Sequence, residues 1–154
     1  MTDLHAIFVT AIIAPAVDDF YMFGSMVQNP ETAHDVDIAV LVTNNKKANH
    51  LNRALKQIGF EHEKQKLIGE YGEYWIEFTG KIVGTIGGTK YDFTVYSDKA
   101  TFERNKWFEQ NIARYIPNRD DRCAAHKAFM SREEKLLEKK RFLPRWFRGF
   151  MRDI

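Results

Sequence analysis

The sequence predicts an α+β fold, with a small mixed or antiparallel sheet, helices on one side of it and a helical extension at the C-terminus. Three observations predict it. Residues 35–42 form an apolar run and residues 90–96 alternate in polarity, as strands do. Apolar residues at spacings of three and four mark helices before, between and after these strands. Gly80 and the pair Gly87-Gly88 stand where antiparallel strands would reverse.

The chain has 154 residues, the size of one domain or of a core domain with a helical appendage. A hydrophobic content of 44% and a charged content of 29% argue against disorder. Because 23 Lys and Arg nearly balance 21 Asp and Glu, the overall charge of +2 indicates no particular partner.

The compartment follows from the cysteine content and from the N-terminus. The single cysteine, Cys123, excludes an internal disulfide, suits a reducing cytosol and is predicted to be a small helix residue. Residues 6–17 are too short an apolar stretch to span a bilayer, and residues 1–5 lack the basic side chains of an export signal. We therefore expect a cytoplasmic protein with no membrane span.

The first half of the chain is predicted from apolar spacing and from its prolines. Pro15 is expected to end the first helix because it disfavours helical geometry at Ala14. Asn44 or Asn45 is the expected cap of a later helix, and Gly59 its expected end. The predicted elements are a helix from residue 2 or 3 to 14, a strand at 20–23, one helical turn at 26–29, a loop at 30–34, a strand at 35–42 and a helix before residue 59.

The second half begins with three predicted strands, at residues 73–79, 81–86 and 90–96, which we expect to form an antiparallel meander. A helix with an aromatic stripe follows from about residue 101 and ends before Pro117. A longer, highly charged helix is predicted over residues 120–141.

Two aspartates and a Gly-Ser pair carry the most informative chemistry. In a strand, Asp35 and Asp37 point to the same face, and two neighbouring carboxylates are costly unless a cation lies between them. Such a pair is a usual way to hold Mg²⁺. Gly24 lets the backbone approach a phosphate closely, and Ser25 begins a helical turn whose N–H groups attract anions.

These motifs resemble the signature of the nucleotidyltransferase superfamily typified by DNA polymerase beta. The signature consists of Phe23-Gly24-Ser25, a spacer of nine residues, Asp35-Val36-Asp37-Ile38, and a third carboxylate on a later strand. Asp92 is the expected third carboxylate because it follows the glycine-bounded turn. Glu77 is the alternative. The resemblance implies a small nucleotidyltransferase sheet in a core at residues 1–97, with a helical extension at 98–154 packed on it.

The resemblance also implies a reaction, the transfer of a nucleoside monophosphate from a nucleoside triphosphate to a hydroxyl group with release of pyrophosphate. Asp35 and Asp37 would bind Mg²⁺ together with the triphosphate, whose tail Gly24 and Ser25 would hold. Asp92 would join both aspartates around a second ion, as in two-metal catalysis. Mn²⁺ is the alternative ion at the same site. The acceptor, which the resemblance leaves open, is RNA, a protein or a small molecule.

The second half also resembles small phage-encoded nucleotidyltransferase-like proteins, through residues 91–95, 118–122 and 125–126. This likeness implies the cytoplasm of a bacterial host. In many of these proteins the third carboxylate is replaced by Asn, so the presence of Asp92 favours activity. Arg119 and Arg122 are candidate triphosphate or acceptor contacts because guanidinium groups grip phosphates, with pairing to surface carboxylates as the alternative.

Several features of the sequence leave other functions open. His34 and His126 are not predicted to be catalytic. The last 24 residues hold eight basic and four acidic side chains, with Arg alternating with aromatic residues. This tail can cap the core or make an oligomer contact, bind nucleic acid, or lie on a membrane surface. A non-catalytic nucleotide- or nucleic-acid-binding module, such as a host-interaction factor, and an enzyme that modifies a protein or transfer RNA are the competing functions.

Overall fold

The computed structural model describes residues 3–31, 33, 35–63 and 80–141, and side chains within these ranges from residue 4 to residue 133. The predicted strand at 73–79 with Glu77, the loop residue His34 and the basic-aromatic tail beyond residue 141 lie outside the described residues.

The described chain alternates helices and strands in the order expected for an α+β domain. Its elements are α1 (Asp3–Phe8), a π-helical turn (Val9–Ile13), a 3-10 turn (Ala14–Ala16), β1 (Asp19–Phe23), α2 (Ser25–Gln28), β2 (Asp35–Leu41), α3 (Asn45–Gln57), β3 (Glu61–His62), β4 (Gly80–Ile86), β5 (Thr89–Tyr96), α4 (Lys99–Asn111), a second 3-10 turn (Ala113–Tyr115) and α5 (Arg119–Arg141).

The five strands form one mixed sheet in the order β1-β2-β5-β4-β3. Only the central pair, β2 and β5, is parallel, and the other described neighbours are antiparallel. The fold class predicted from the sequence is therefore confirmed. The predicted reversal at Gly87 and Gly88 is the two-residue turn of the β4–β5 hairpin, where both glycines adopt the positive φ that such a turn requires.

Alternating side chains of the central strands build two cores, one on each face of the sheet. On the first face, α1, the π-helical turn and α3 cover β2 and β5, and the buried set includes Phe8, Ile13, Val36, Ile38, Leu51, Leu55, Tyr91 and Phe93. On the second face, Phe102 of α4 covers Tyr21, Ala39, Leu41 and Tyr96. α4 thus covers the face of the sheet that α1, the π-helical turn and α3 leave open.

The helices begin at side-chain caps that the sequence partly predicts. Asn44 caps α3, since its side-chain oxygen accepts the backbone N–H of Lys47 at 2.9 Å. Asp98 caps α4 in the same way through the N–H of Thr101, at 3.1 Å. Each cap satisfies a backbone donor that the helix itself cannot, which stabilises the fold by about 1 kcal/mol.

The first helical segment differs from the prediction. It is α-helical only to Phe8, continues as a π-helical turn to Ile13, and Pro15 lies inside the 3-10 turn that follows. Proline is tolerated there because the first residues of a helical segment have no intrahelical partner for their N–H groups. None of the helices in the described part of the chain is long and apolar enough to cross a membrane.

Candidate active site

The Gly-Ser turn lies directly against the strand that carries Asp37. Gly24 directly follows β1 and has φ 74° and ψ −155°. Its carbonyl oxygen accepts hydrogen bonds from the N–H groups of Val27 and Gln28, at 3.1 and 3.2 Å. A Cβ atom added to Gly24 would lie 2.4 Å from Oδ2 of Asp37. Only glycine provides both this positive φ and this space, so the turn and the carboxylate depend on each other.

Sheet register brings two of the three predicted aspartates side by side. Asp37 pairs with Phe23 on one side and with Asp92 on the other, across the parallel β2–β5 pair. Register partners on neighbouring strands point to the same face and are about 4.8 Å apart. Asp35 shares that face but lies two residues earlier on β2, is exposed, and stands opposite Lys90. Of the three predicted aspartates, Asp37 and Asp92 are therefore the two that strand register places directly opposite each other.

Asp92 already has one cationic neighbour, Lys81 of β4. The ammonium of Lys81 donates to Oδ2 of Asp92 at 3.2 Å, and the two side chains are only 18% and 19% exposed. The second carboxylate oxygen of Asp92, Oδ1, is buried and has no hydrogen-bond partner among the described residues. A buried oxygen of this kind normally has a partner, so a further donor or cation is expected beside it.

These residues fit a divalent cation held by two carboxylates. Mg²⁺ commonly takes one or two carboxylates from the protein and its remaining ligands from water and substrate phosphates, which matches Asp37 with Asp92. Nowhere in the described ranges do three or more His, Cys, Asp or Glu side chains come together closely enough to hold a metal ion. The predicted metal site, in which Asp35 and Asp37 bind Mg²⁺ and Asp92 is the third carboxylate, therefore stays a prediction. Lys81 occupies part of the space around Asp92.

Arg122 makes contacts within the fold. Its Nη1 donates to the carbonyl oxygens of Ile116 and Pro117 at 2.9 and 2.8 Å, and lies 3.4 Å from Oε1 of Gln28. The Nε2 group of Gln28 in turn donates to the carbonyl oxygen of Ala113 at 3.2 Å. These bonds join α5 to the one-turn helix that begins at Ser25.

Arg119 and His126 occupy different environments on α5. Arg119 is the exposed first residue of the helix. His126 is 2% exposed, its Nε2 lies 3.2 Å from Oδ1 of Asn105, and its ring packs edge-on against Phe108. Burial, aided by the charge of Arg104, lowers the pKa of His126 to about 4, so the ring is neutral and packs in the interior. The interpretation of His126 as non-catalytic agrees with this position.

A cavity of about 390 Å³ opens beside the Gly-Ser turn, between β1, α2 and the end of α4. It carries an exposed aromatic side chain, Tyr115, which is 72% exposed, and the guanidinium carbon of Arg114 lies 5.2 Å from that ring. Its lining residues are Met22, Phe23, Gly24, Val27, Gln28, Glu109, Gln110, Asn111, Arg114 and Tyr115. A larger cavity of about 770 Å³, at the end of α3, contacts none of the predicted site residues.

Lys81 and the Arg114–Tyr115 pair are site features that sequence reasoning missed. A signal for Lys81 was available, because the two-residue turn at Gly87 and Gly88 sets the hairpin register and places Lys81 on the face of Asp92. No comparable local signal indicated Tyr115, whose position depends on how α4 packs on the sheet.

Comparison with known proteins gives structural similarity only. No family model matches the chain, and no curated protein matches it. The conserved protein GrpB from Enterococcus faecalis has a similar structure, with 15% identity, a TM-score of 0.45, and coverage of 89% of this chain and 90% of that one.

Terminal uridylyl transferase 4 from Trypanosoma brucei is also similar. The structure with bound CTP has 23% identity, a TM-score of 0.39 and coverage of 69% of this chain. The structure with bound UPU has 20% identity, a TM-score of 0.34 and coverage of 70% of this chain. The chain spans 34% and 38% of the length of those two chains. At these levels the comparisons carry no argument about activity. The described chain has an α+β fold with a five-stranded mixed sheet, in which strand register brings the motif residues Asp37 and Asp92 side by side.

Proposed function

We propose that this protein is a metal-dependent nucleotidyltransferase that moves a nucleoside monophosphate from a nucleoside triphosphate to a hydroxyl group. The observation that carries the proposal is the pairing of Asp37 with Asp92 directly beside Gly24, with the buried Oδ1 of Asp92 lacking a hydrogen-bond partner among the described residues. A triphosphate site has two halves. One is a turn that a phosphate can approach, and the other is a pair of carboxylates that can hold a cation.

Each half has a role in this proposal. Asp37 and Asp92, with Asp35 at the exposed end of the same face, would hold Mg²⁺ or Mn²⁺. A divalent cation held there would neutralise charge on the triphosphate and lower the pKa of the acceptor hydroxyl. Gly24 lets the triphosphate tail approach the backbone, and Ser25 is exposed beside it.

The reaction is an in-line displacement. The acceptor oxygen forms a bond to the α phosphorus while the bond from that phosphorus to the bridging oxygen of the leaving pyrophosphate breaks. The acceptor hydroxyl, whose pKa a bound cation would lower, releases its proton to water. The products are the nucleotidylated acceptor and pyrophosphate.

The nucleoside part of the substrate is assigned to the cavity beside Gly24. The exposed ring of Tyr115 offers a face on which a base can stack, and the nearby cation of Arg114 suits the triphosphate. Arg119, the exposed first residue of α5, remains a candidate contact for the acceptor or the triphosphate. Arg122 contacts Gln28, which lines the cavity. RNA, a protein or a small molecule supplies the hydroxyl in a cytoplasmic setting.

A non-catalytic nucleotide-binding module is the second candidate. The observation in its favour is that Lys81 already pairs with Asp92, and that no group of three metal-ligating side chains assembles within the described residues. Magnesium-dependent release of pyrophosphate separates the two functions, because a binding module releases none.

The experiment is a calorimetric titration with nonhydrolysable triphosphates of each base, with and without Mg²⁺. Wild type is compared with Asp35→Asn, Asp37→Asn and Asp92→Asn, and with Asp121→Asn, which alters an exposed carboxylate on α5. We expect metal-dependent binding that Asp37→Asn and Asp92→Asn each weaken by at least about tenfold, while Asp121→Asn leaves it unchanged. Binding that needs neither metal nor these aspartates would refute the proposed site.

A further inference from the structure

Lys81 forms an ion pair with Asp92, one member of the carboxylate pair. It reaches Asp92 from β4, on the side of β5 opposite to Asp37, at 3.2 Å. Both partners of this ion pair are less than one fifth exposed. A lysine this far from solvent loses hydration and side-chain freedom, and the ion pair compensates for that loss.

The position of Lys81 also has an electrostatic reason. Asp37 and Asp92 are register partners, and two carboxylates at that spacing repel each other when both are charged. An ammonium group beside Asp92 offsets this repulsion. Lys90 provides a comparison, since it lies on the same face opposite Asp35 but is exposed and therefore screened by water.

We propose that Lys81 is a positioning residue that serves as the counter-ion of the Asp37–Asp92 pair when no divalent cation is bound, and that it competes with that cation for Asp92. This inference rests on the cation site of the proposed function. Without metal, the charge of Lys81 offsets the repulsion between Asp37 and Asp92 on their paired strands. The competition with Lys81 weakens the binding of a divalent cation that arrives without a triphosphate. The ammonium released from Asp92 then lies beside the anionic triphosphate, which couples binding of the ion to binding of the substrate.

Titration of the full chain with Mn²⁺ alone, in the absence of nucleotide, tests the competition. Lys81→Met removes the charge and keeps most of the side-chain volume, and we expect it to bind Mn²⁺ about three- to tenfold more tightly than wild type, as loss of a partly screened ion pair predicts. Lys81→Arg keeps the charge, so its affinity for Mn²⁺ should stay close to the weaker affinity of wild type. Lys90→Met, the matched control, should change the affinity less than Lys81→Met does.

Thermal unfolding without metal provides a second measurement. Lys81→Met should unfold at a lower temperature than Lys90→Met, and saturating Mn²⁺ should raise its unfolding temperature by more than it raises that of wild type. If Lys81→Met does not fold, Lys81→Gln takes its place, since its amide can still donate to Asp92 without carrying a charge.

The outcomes separate this inference from the proposed function. If wild type and every Lys81 variant fail to bind Mn²⁺, or if Asp92→Asn binds it as well as wild type does, the cation site itself is wrong and the inference falls with it. If wild type binds, Asp92→Asn does not, and Lys81→Met binds no more tightly than wild type or Lys90→Met, the cation site stands and the role of Lys81 is wrong.

Discussion

Asp37 of β2 and Asp92 of β5 are register partners on two parallel strands, so their carboxylates lie on the same face of the sheet. Their strands are about 4.8 Å apart, whereas Asp35 and Asp37 are separated by about 6.6 Å along one strand. The register partner of Asp37 is therefore a carboxylate that is 55 residues away in sequence but adjacent in space.

Gly24 is expected to tolerate no side chain. Gly24→Ala would place a Cβ atom 2.4 Å from Oδ2 of Asp37 at a φ of 74°. We expect a loss of about 1–3 kcal/mol in the free energy of unfolding and weaker triphosphate binding, measured by chemical denaturation and calorimetry. Gly59→Ala, at φ 91° with no atom within 4 Å of the new Cβ, is the control for backbone strain alone. An equal loss of stability in both variants, with binding retained, would contradict the role of Gly24.

Arg122 is expected to act mainly in folding. Arg122→Ala removes the bonds to the carbonyl oxygens of Ile116 and Pro117 and the contact with Gln28, so the melting temperature should fall by about 2–6 °C. Arg119→Ala, at an exposed position, should leave the melting temperature nearly unchanged. Scanning calorimetry of both variants checks this, and a stable Arg122→Ala protein that binds triphosphate poorly would instead assign Arg122 to the substrate.

His126 should make stability depend on pH. Its pKa is about 4 in the folded protein, against 6.5 as the ordinary value, because burial disfavours the charged ring. Between these two values the unfolded chain binds a proton that the folded chain does not, so the free energy of unfolding falls as the pH drops from about 6.5 to about 4. His126→Gln should flatten this part of the profile in urea denaturation. The same substitution at the exposed His50 should not.

Gly84 of β4 and Phe60 form a second close contact, in the first core. A Cβ atom on Gly84 would lie 2.2 Å from the Phe60 ring, so Gly84→Ala should lower the free energy of unfolding by about 1–3 kcal/mol through overpacking. Phe60→Leu, a smaller side chain, should relieve part of that loss in the double variant. A double-mutant cycle measures this coupling, and additive effects would show that the loss in Gly84→Ala does not come from contact with the Phe60 ring.

Local chemistry accounts for the parts of the fold that were predicted well. The strand that contains Asp92 alternates in polarity, and the strand that contains Asp37 is an apolar run. The cap at Asn44 satisfies a backbone donor, and the turn at Gly87 and Gly88 needs a positive φ. These signals lie within a few residues of one another, so a single sequence contains them. The two-residue strand Glu61–His62 is too short to show any period, and no pattern predicted it.

By itself, the sequence determined most of the described helices and strands, the Gly-Ser turn before the Asp-x-Asp strand, and the residue types of the proposed triphosphate site, because propensity, capping and turn chemistry act over short distances. Only the tertiary structure decided that Asp92 stands beside Asp37, that Lys81 pairs with Asp92, and that Arg122 binds backbone carbonyl groups. The neighbours of a side chain across a sheet depend on strand order and register. Those are set by which apolar faces are buried together, through contacts between residues far apart in the chain.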